Sequence, residues 1–294
     1  SDVAAFSEHG PTDRCRTCYR PAAHMLDEVD FNHVGLGSQL SENERDQAHA
    51  QAMAVSRQDI ATFVIEGIPI GEHALAGALR FYARGNIDAE ADGEAVLRRY
   101  FEAALLTYYA CHRLLAGGQY KVVVLNHGIY VPQGVIAATA RQLGVRVVTW
   151  HPAYRRGCSI FNHDETYHHG LLSEPVSSWD GMRWDEEHKE RIVNYLRSRW
   201  IGQQDWVRFH QNPEFDVEAI RLETGINFSR PTIGLLTNVV WDAQLHYQAN
   251  AFSGMLDWLI KTIEYFGMRP DLQLLIRVHP AEISGTLPSR QPAV

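Results

Sequence analysis

The apolar residues follow a strand-like pattern in four short runs and a helical pattern between them. The predicted strands are residues 121–125, 146–150, 232–236 and 272–278. A helix from about Pro132 to Leu143 separates the first two strands, and a helix from Phe252 to Phe266 separates the last two. Because a crossover helix joins parallel strands, each set predicts a β-α-β unit. The continuous apolar run at 121–125 predicts a strand that is buried on both faces.

Helical periodicity also dominates the first part of the chain. Ser41 and Glu44 have the spacing of a capping box, so a helix should begin there. Further helices are predicted from His73 to Tyr82 and from Glu94 to Leu115, each with apolar residues along one face.

Three segments lack these strong patterns. Residues 1–40 are polar and rich in turn formers, and we expect them to be irregular. Residues 151–181 predict a long loop, which inside a compact domain is usually functional. Residues 184–224 return to helix, with four aromatic residues as apolar anchors: Trp184, Tyr195, Trp200 and Trp206.

The predicted fold class is α/β, with two Rossmann-like domains that face a cleft. Residues 1–40 precede an N-terminal Rossmann-like domain with helical additions at 41–224. Residues 225–294 begin a C-terminal nucleotide-binding domain. This second domain is incomplete, because a two-stranded parallel sheet cannot bury its faces. We therefore expect the parent protein to continue beyond Val294.

Composition narrows the function classes. The net charge of −8 argues against nucleic-acid partners. No apolar stretch is long enough to cross a bilayer and no signal peptide is evident, which predicts a protein without a transmembrane segment. The predicted location is the cytoplasm, with association at the inner face of the cytoplasmic membrane through partners left open.

Cysteine and histidine do not form a recognisable metal pattern. Cys15 and Cys18 make a C-x-x-C, but only His24 lies near and no second pair follows. Of the 15 histidines, four lie between residues 151 and 169, without the helical spacing of zinc enzymes. We therefore predict no catalytic metal and no cofactor. Whether Cys15 and Cys18 bind a metal stays open, with a reduced turn as the alternative.

The end of the fourth strand has the features of a phosphate-binding corner. Arg277 and His279 come where open α/β sheets bind ligands. Pro280 suits the first turn of a helix, whose free N–H groups attract anions, and Glu282 lies in that turn. The alternative is a strand-turn-helix with a solvated Arg and His.

Two more loops follow strands and should border the cleft. In the first, His127 offers a donor or base, and Gly128 lets a ligand approach the backbone. In the second, Thr237 and Asn238 can bond a phosphate or ribose, and Trp241 can stack on a base. The alternatives are a capped turn and a loop anchored by a buried Trp.

His127 and either His163 or Asp164 are candidates for the general base of an inverting transfer. The 151–181 segment leaves the second strand as His127 leaves the first, so these residues should border one cleft. The alternative is that they only order the long loop through hydrogen bonds. The chain has no Walker loop, no G-x-G-x-x-G and no G-x-S-x-G. A cleft with a phosphate corner suits transfer from a nucleotide-activated donor, where positioning and charge neutralisation carry much of the catalysis.

Residues 275–282, together with the 237–242 loop and the Gly67–Gly71 turn followed by Arg80 and Tyr82, resemble the capsule polysaccharide biosynthesis group of glycosyltransferases. The resemblance spans roughly residues 60–290 and implies the two-Rossmann GT-B architecture. In relatives that use CMP-activated acidic sugars, the His-Pro pair contacts the nucleotide phosphate, which implies that role for His279 and Pro280. Kdo-transferring relatives often have Lys-Pro before this pair, whereas this chain has Arg-Val.

The leading hypothesis is therefore a glycosyltransferase for a cell-surface or capsular polysaccharide. Its donor is a nucleotide-sugar, with CMP favoured and UDP or GDP open, and its acceptor is a glycan or lipid-linked glycan. The alternatives are a non-catalytic glycan-binding or scaffold protein and a sugar-nucleotide epimerase, because fold does not determine function.

Overall fold

Helices form the first part of the chain in the computed structural model, which describes residues 12–201, 204–206, 213–246, 250–282 and 289–290. They are α1 (Thr12–Asp27), α2 (Glu42–Ala54), α3 (Arg57–Ile60), α4 (Ile70–Tyr82) and α5 (Gly93–Ala116). The predicted capping box is confirmed: Ser41 N–H donates to Glu44 at 2.8 Å, and the Ser41 side chain accepts from Glu44 N–H. The expectation of an irregular 1–40 segment is wrong for α1, which tolerates Pro21 within its length.

The main apolar core lies between α4 and α5. Ile70, Phe101 and Leu105 are fully buried there, and they follow the helical spacing of their sequence. The core also includes Val240 and Trp241 from the last third of the chain. Distant parts of the chain therefore share one apolar cluster.

The first sheet contains β1 (Val122–Asn126), β2 (Arg146–Pro152) and β3 (Ser159–His163). A π-helical turn at Tyr130–Gly134 and helix α6 (Val135–Gln142) connect β1 to β2. The predicted parallel pairing of β1 and β2 is confirmed, with Val123 opposite Val147.

Strand β3 returns antiparallel to β2 within the segment expected to be a long loop. This expectation is wrong, because the same segment also forms α7 (Tyr167–Ser173) and a 3₁₀ turn at Val176–Trp179. The pairing with β2 supplies hydrogen bonds to the backbone of β3. The apolar alternation of this segment is too short to predict a strand from the sequence.

The prediction that β1 is buried on both faces is also wrong. Val122 and Val124 are 44% and 60% exposed, whereas Val147 on β2 is fully buried. Val123 and Leu125, which alternate with the exposed pair, pack against a small cluster that includes Val147. One face of this sheet is therefore covered and the other is open.

The connection to the second sheet contains α8 (Glu186–Arg199) and α9 (Val217–Thr224). The tryptophans expected to anchor it are exposed: Trp184, Trp200 and Trp206. That expectation is wrong, since the described part of this connection offers these rings no apolar cover. Tyr195 is partly buried and donates its hydroxyl to Asp205 at 2.8 Å.

The second sheet pairs β4 (Thr232–Leu236) with β5 (Gln273–Arg277) in parallel, and α10 (Met255–Gly267) lies between them in sequence. This sheet is separate from the first, as predicted. The fold is therefore mixed α/β. Among the described residues, none of the helices has the length and apolar character needed to cross a membrane.

Candidate functional site

The loop that follows β4 reaches the first β-α-β unit through Asp242. Its Oδ1 accepts hydrogen bonds from Tyr130 Oη at 2.6 Å and from Arg80 Nη1 at 2.8 Å. Tyr130 Oη in turn accepts from Arg80 Nη1 at 3.2 Å and from Ala243 N–H at 3.0 Å. The Arg80 guanidinium also lies over the rings of Tyr130 and Trp241, 4.9 and 5.6 Å from their centroids. The loops after β1 and β4 therefore meet in direct contact.

Arg80 and Tyr130 keep their ordinary neutral-pH protonation states in this contact. Burial lowers the pKa of Arg80, but Tyr130 and Asp242 outweigh burial and raise that pKa above its usual value. Burial and then Asp242 raise the pKa of Tyr130. The guanidinium therefore stays charged and the phenol stays protonated, which preserves the donors that the contact needs.

The loop after β1 contains backbone strain. His127 and Tyr130 have positive φ angles of 61° and 66°, which non-glycine residues seldom adopt. Gly128 has φ of 73°, and an added Cβ would lie 2.6 Å from Thr149 Cγ2. The close neighbour that requires a glycine is therefore Thr149. Strain of this kind clusters at functional sites.

His127 lines a cavity of about 290 Å³, together with Arg80, Tyr100 and Tyr130. Its ring centroid lies 4.3 Å from that of His151. Burial, and then His151, lower the pKa of His127 to about 4. At neutral pH the imidazole is uncharged, which is the form that accepts a proton.

His163 and Asp164 do not join His127. His163 pairs with Val148, and Asp164 Oδ1 accepts from Val147 N–H at 2.8 Å. The backbone N–H of His127 instead donates to Trp150 O at 3.1 Å. Trp150 comes three residues after Val147, which is about 10 Å further along β2 at 3.3 Å per residue. The expectation that all three border one cleft is wrong, because β3 runs back toward the amino end of β2.

The predicted phosphate corner brings Thr237 and His279 together. His279 N–H donates to Thr237 Oγ1 at 3.0 Å, and Thr237 N–H donates to Arg277 O at 3.1 Å. His279 Nδ1 accepts from Ala281 N–H at 3.1 Å, so the neutral ring has its proton on Nε2. Burial lowers the pKa of His279. Pro280 begins a short 3₁₀ turn that extends to Glu282.

The remaining predicted nucleotide ligands have structural contacts in this corner. Glu282 is 1% exposed, and its Oε1 accepts from Val240 N–H at 3.1 Å. Trp241 is buried in the apolar core beneath Arg80. Asn238 is exposed, and its Oδ1 accepts from Val239 N–H at 2.8 Å. Of these three side chains, Asn238 is the one at the surface.

Sequence reasoning assigned no role in the site to Arg80, Tyr130 or Asp242. Arg80 is 162 positions from Asp242, and local sequence patterns do not predict a contact between residues so far apart in the chain. Groups of three or more metal-ligating side chains do not occur within the described part of the chain. The side chains of Cys15 and Cys18 lie outside what the structure describes.

No protein-family model matches this chain, and neither does any of the curated proteins or solved structures compared with it. The assignment of function therefore depends on the residues and their geometry.

Proposed function

We propose that the protein is a glycosyltransferase that uses a nucleotide-sugar donor, with CMP favoured over UDP and GDP. The proposed acceptor is a glycan or lipid-linked glycan of a cell-surface or capsular polysaccharide. The supporting observation is the contact of Asp242 with Arg80 and Tyr130, which joins the loop after β4 to the loop after β1. Group transfer requires two substrates held side by side, and loops from two parallel strand pairs meet at this contact.

The proposed role of each residue follows from its position at the ends of the strands or beside the His127 cavity. Thr237, Arg277 and His279 lie where β4 and β5 end, and they are assigned to the donor phosphate. His127 lines the cavity beside Arg80 and is assigned the role of general base.

In an inverting transfer His127 takes the proton of the acceptor hydroxyl while the oxygen of that hydroxyl attacks the anomeric carbon of the donor sugar. The bond from that carbon to the donor phosphate oxygen breaks, and its electron pair leaves with the nucleotide. The positive charge of Arg277 and the Nε2 proton of His279 then stabilise the charge that develops on the phosphate.

Nucleotide binding is the first test. The full-length protein is titrated with CMP, UDP and GDP, and calorimetry and thermal shift report binding. We expect at least one nucleotide to bind and to raise the melting temperature, because a ligand of the folded state stabilises it. If none of the three binds, the proposed function is overturned.

The second test separates chemistry from binding with His127→Asn. Asn tolerates the left-handed backbone at this position better than Ala does, so the loop should keep its conformation. We expect donor affinity to be retained and the transfer rate to fall by about 10²-fold or more, the usual contribution of a general base. His49→Asn, on the exposed face of α2, is the matched control. Wild-type turnover in His127→Asn would remove His127 from the mechanism.

A further inference from the structure

A second, larger cavity of about 620 Å³ shares Ile129 with the His127 cavity. It is lined by residues from α4, from α6, from the segment before α7 and from the loop after β4. We propose that it binds an uncharged, hydroxyl-rich ligand, a sugar of one or two rings. This site is distinct from the Thr237–His279 corner, and the inference does not require a nucleotide or a transfer reaction.

The first support is a set of buried polar atoms without a hydrogen-bond partner among the described residues, all on side chains of residues that line the cavity. They are His73 Nδ1, Arg141 Nη1, Thr166 Oγ1 and His246 Nε2. His73, Thr166 and His246 are each no more than 6% exposed. Buried polar atoms are almost always paired, because an unpaired one costs about 1–3 kcal/mol. A ligand in the cavity that both donates and accepts offers these side chains the partners that they lack.

The second support is the charge of the lining, which identifies the ligand class. Three acidic side chains, those of Glu66, Glu72 and Glu165, line the cavity with the guanidinium of Arg141 and the imidazole of His169, whose Nδ1 lies 2.9 Å from Glu165 Oε1. Such a lining repels a phosphate or a free carboxylate. Carboxylates, a guanidinium and a threonine hydroxyl together hydrogen-bond the alternating donors and acceptors of a sugar.

The imidazoles add hydrogen-bonding groups without charge. Burial, and then His246, lower the pKa of His73 to about 3. Burial, and then neighbouring histidines, lower the pKa of His246 to about 4. At neutral pH each ring therefore offers one donor and one acceptor nitrogen, as a hydroxyl-rich ligand requires.

The loop after β4 completes the cavity. It carries His246, whose ring stacks on that of His73 with centroids 5.1 Å apart. The His246 ring also packs edge-on against the Tyr130 ring, with centroids 5.8 Å apart. His246 Nδ1 lies 3.7 Å from Glu72 Oε1 on α4. Apolar lining from Ile68, Pro69 and Ile129 provides surface for the carbon face of a sugar ring. The volume lies within the range of small-molecule pockets.

Thr166→Val is the sharpest test, because valine keeps the shape of threonine and removes the hydroxyl. The Thr166 hydroxyl neither caps α7 nor pairs with any described residue, so its removal should leave the free energy of unfolding unchanged or slightly higher. The matched control is Thr139→Val on α6. The Thr139 hydroxyl is also buried, but it donates to Val135 O at 2.8 Å and lies outside the cavity lining.

Binding is measured by calorimetry and saturation-transfer NMR, with D-glucose, D-galactose, N-acetyl-D-glucosamine and lactose as neutral probes and inorganic phosphate as the anionic probe. We expect at least one neutral sugar to bind and phosphate not to compete with it. Thr166→Val should weaken sugar binding about 5- to 10-fold, the worth of one hydrogen bond. Thr139→Val should lower stability and leave sugar affinity unchanged.

Three results would overturn the inference: no sugar binds, phosphate displaces the sugar, or Thr166→Val binds it as tightly as the wild type. The nucleotide titration is repeated on Thr166→Val. Retained nucleotide binding with weakened sugar binding supports two separate sites. Sugar binding without any nucleotide binding would leave this inference standing and overturn the proposed function.

Discussion

Replacing Tyr130 by Phe tests whether the contact between the two loops stabilises the fold. The hydroxyl donates to the Asp242 carboxylate and accepts from Ala243 N–H and Arg80 Nη1. A hydrogen bond to a charged group is worth about 1.5–3 kcal/mol, and a neutral one about 0.5–1.5 kcal/mol. Asp242 keeps its bond to Arg80 in the variant. Because Arg80 Nη1 retains this shorter bond, the loss of its 3.2 Å bond to Tyr130 is not counted, and the other two bonds give an expected loss of unfolding free energy of about 2–4.5 kcal/mol.

Urea unfolding, monitored by tryptophan fluorescence, measures this loss as a lower unfolding midpoint at an unchanged m-value. The matched control is Tyr265→Phe. The Tyr265 hydroxyl accepts from Arg269 Nη1 at 2.8 Å on an exposed face of α10, where a surface substitution costs no more than about 0.5 kcal/mol. If both variants lose the same small amount, the Asp242 contact does not stabilise the molecule, and the argument that the two loops form one site fails.

Three further predictions concern binding, pH and packing. His279→Ala should weaken nucleotide binding by about 1–3 kcal/mol in calorimetry while the far-UV spectrum stays native, and unchanged affinity would contradict the assignment of His279 to the donor phosphate. The free energy of unfolding should be steady above about pH 7 and fall as the pH drops from 6.5 toward 4. The reason is that the pKa values of His73 and His246 are lower in the folded state than the 6.5 of the unfolded chain. The unfolded chain therefore binds protons first as the pH drops. The fall attributable to His246 is on the order of 3 kcal/mol, and urea unfolding at several pH values should show it shrink in His246→Asn. Gly134→Ala should destabilise the protein by about 1–3 kcal/mol, since the new Cβ would lie 2.3 Å from the His73 ring, whereas Gly117→Ala meets its nearest neighbour at an ordinary 3.5 Å and should be nearly neutral in the same measurement.

Local chemistry was enough to predict many of the regular elements, although not α1, β3 or α7. The capping box at Ser41 depends on residues three positions apart, and the periodicity of α4 and α5 on residues three or four apart. The crossover connections made the parallel pairing of β1 with β2, and of β4 with β5, the expected topology. The contact of Thr237 with His279 has the same physical reason, since parallel strands end at one edge of a sheet.

The tertiary structure decided which of these elements are covered and which side chains meet. An apolar run shows that a strand is hydrophobic but does not show that only one of its faces is packed, so the exposure of Val124 was not foreseeable. The turn at Asp164, with φ of 58°, is visible only once β3 is known to pair with β2. Asp242 meets Arg80 across 162 positions, and His246 meets His73 in the same way. Sequence patterns act over a few residues, whereas these contacts depend on how whole units pack against each other in three dimensions.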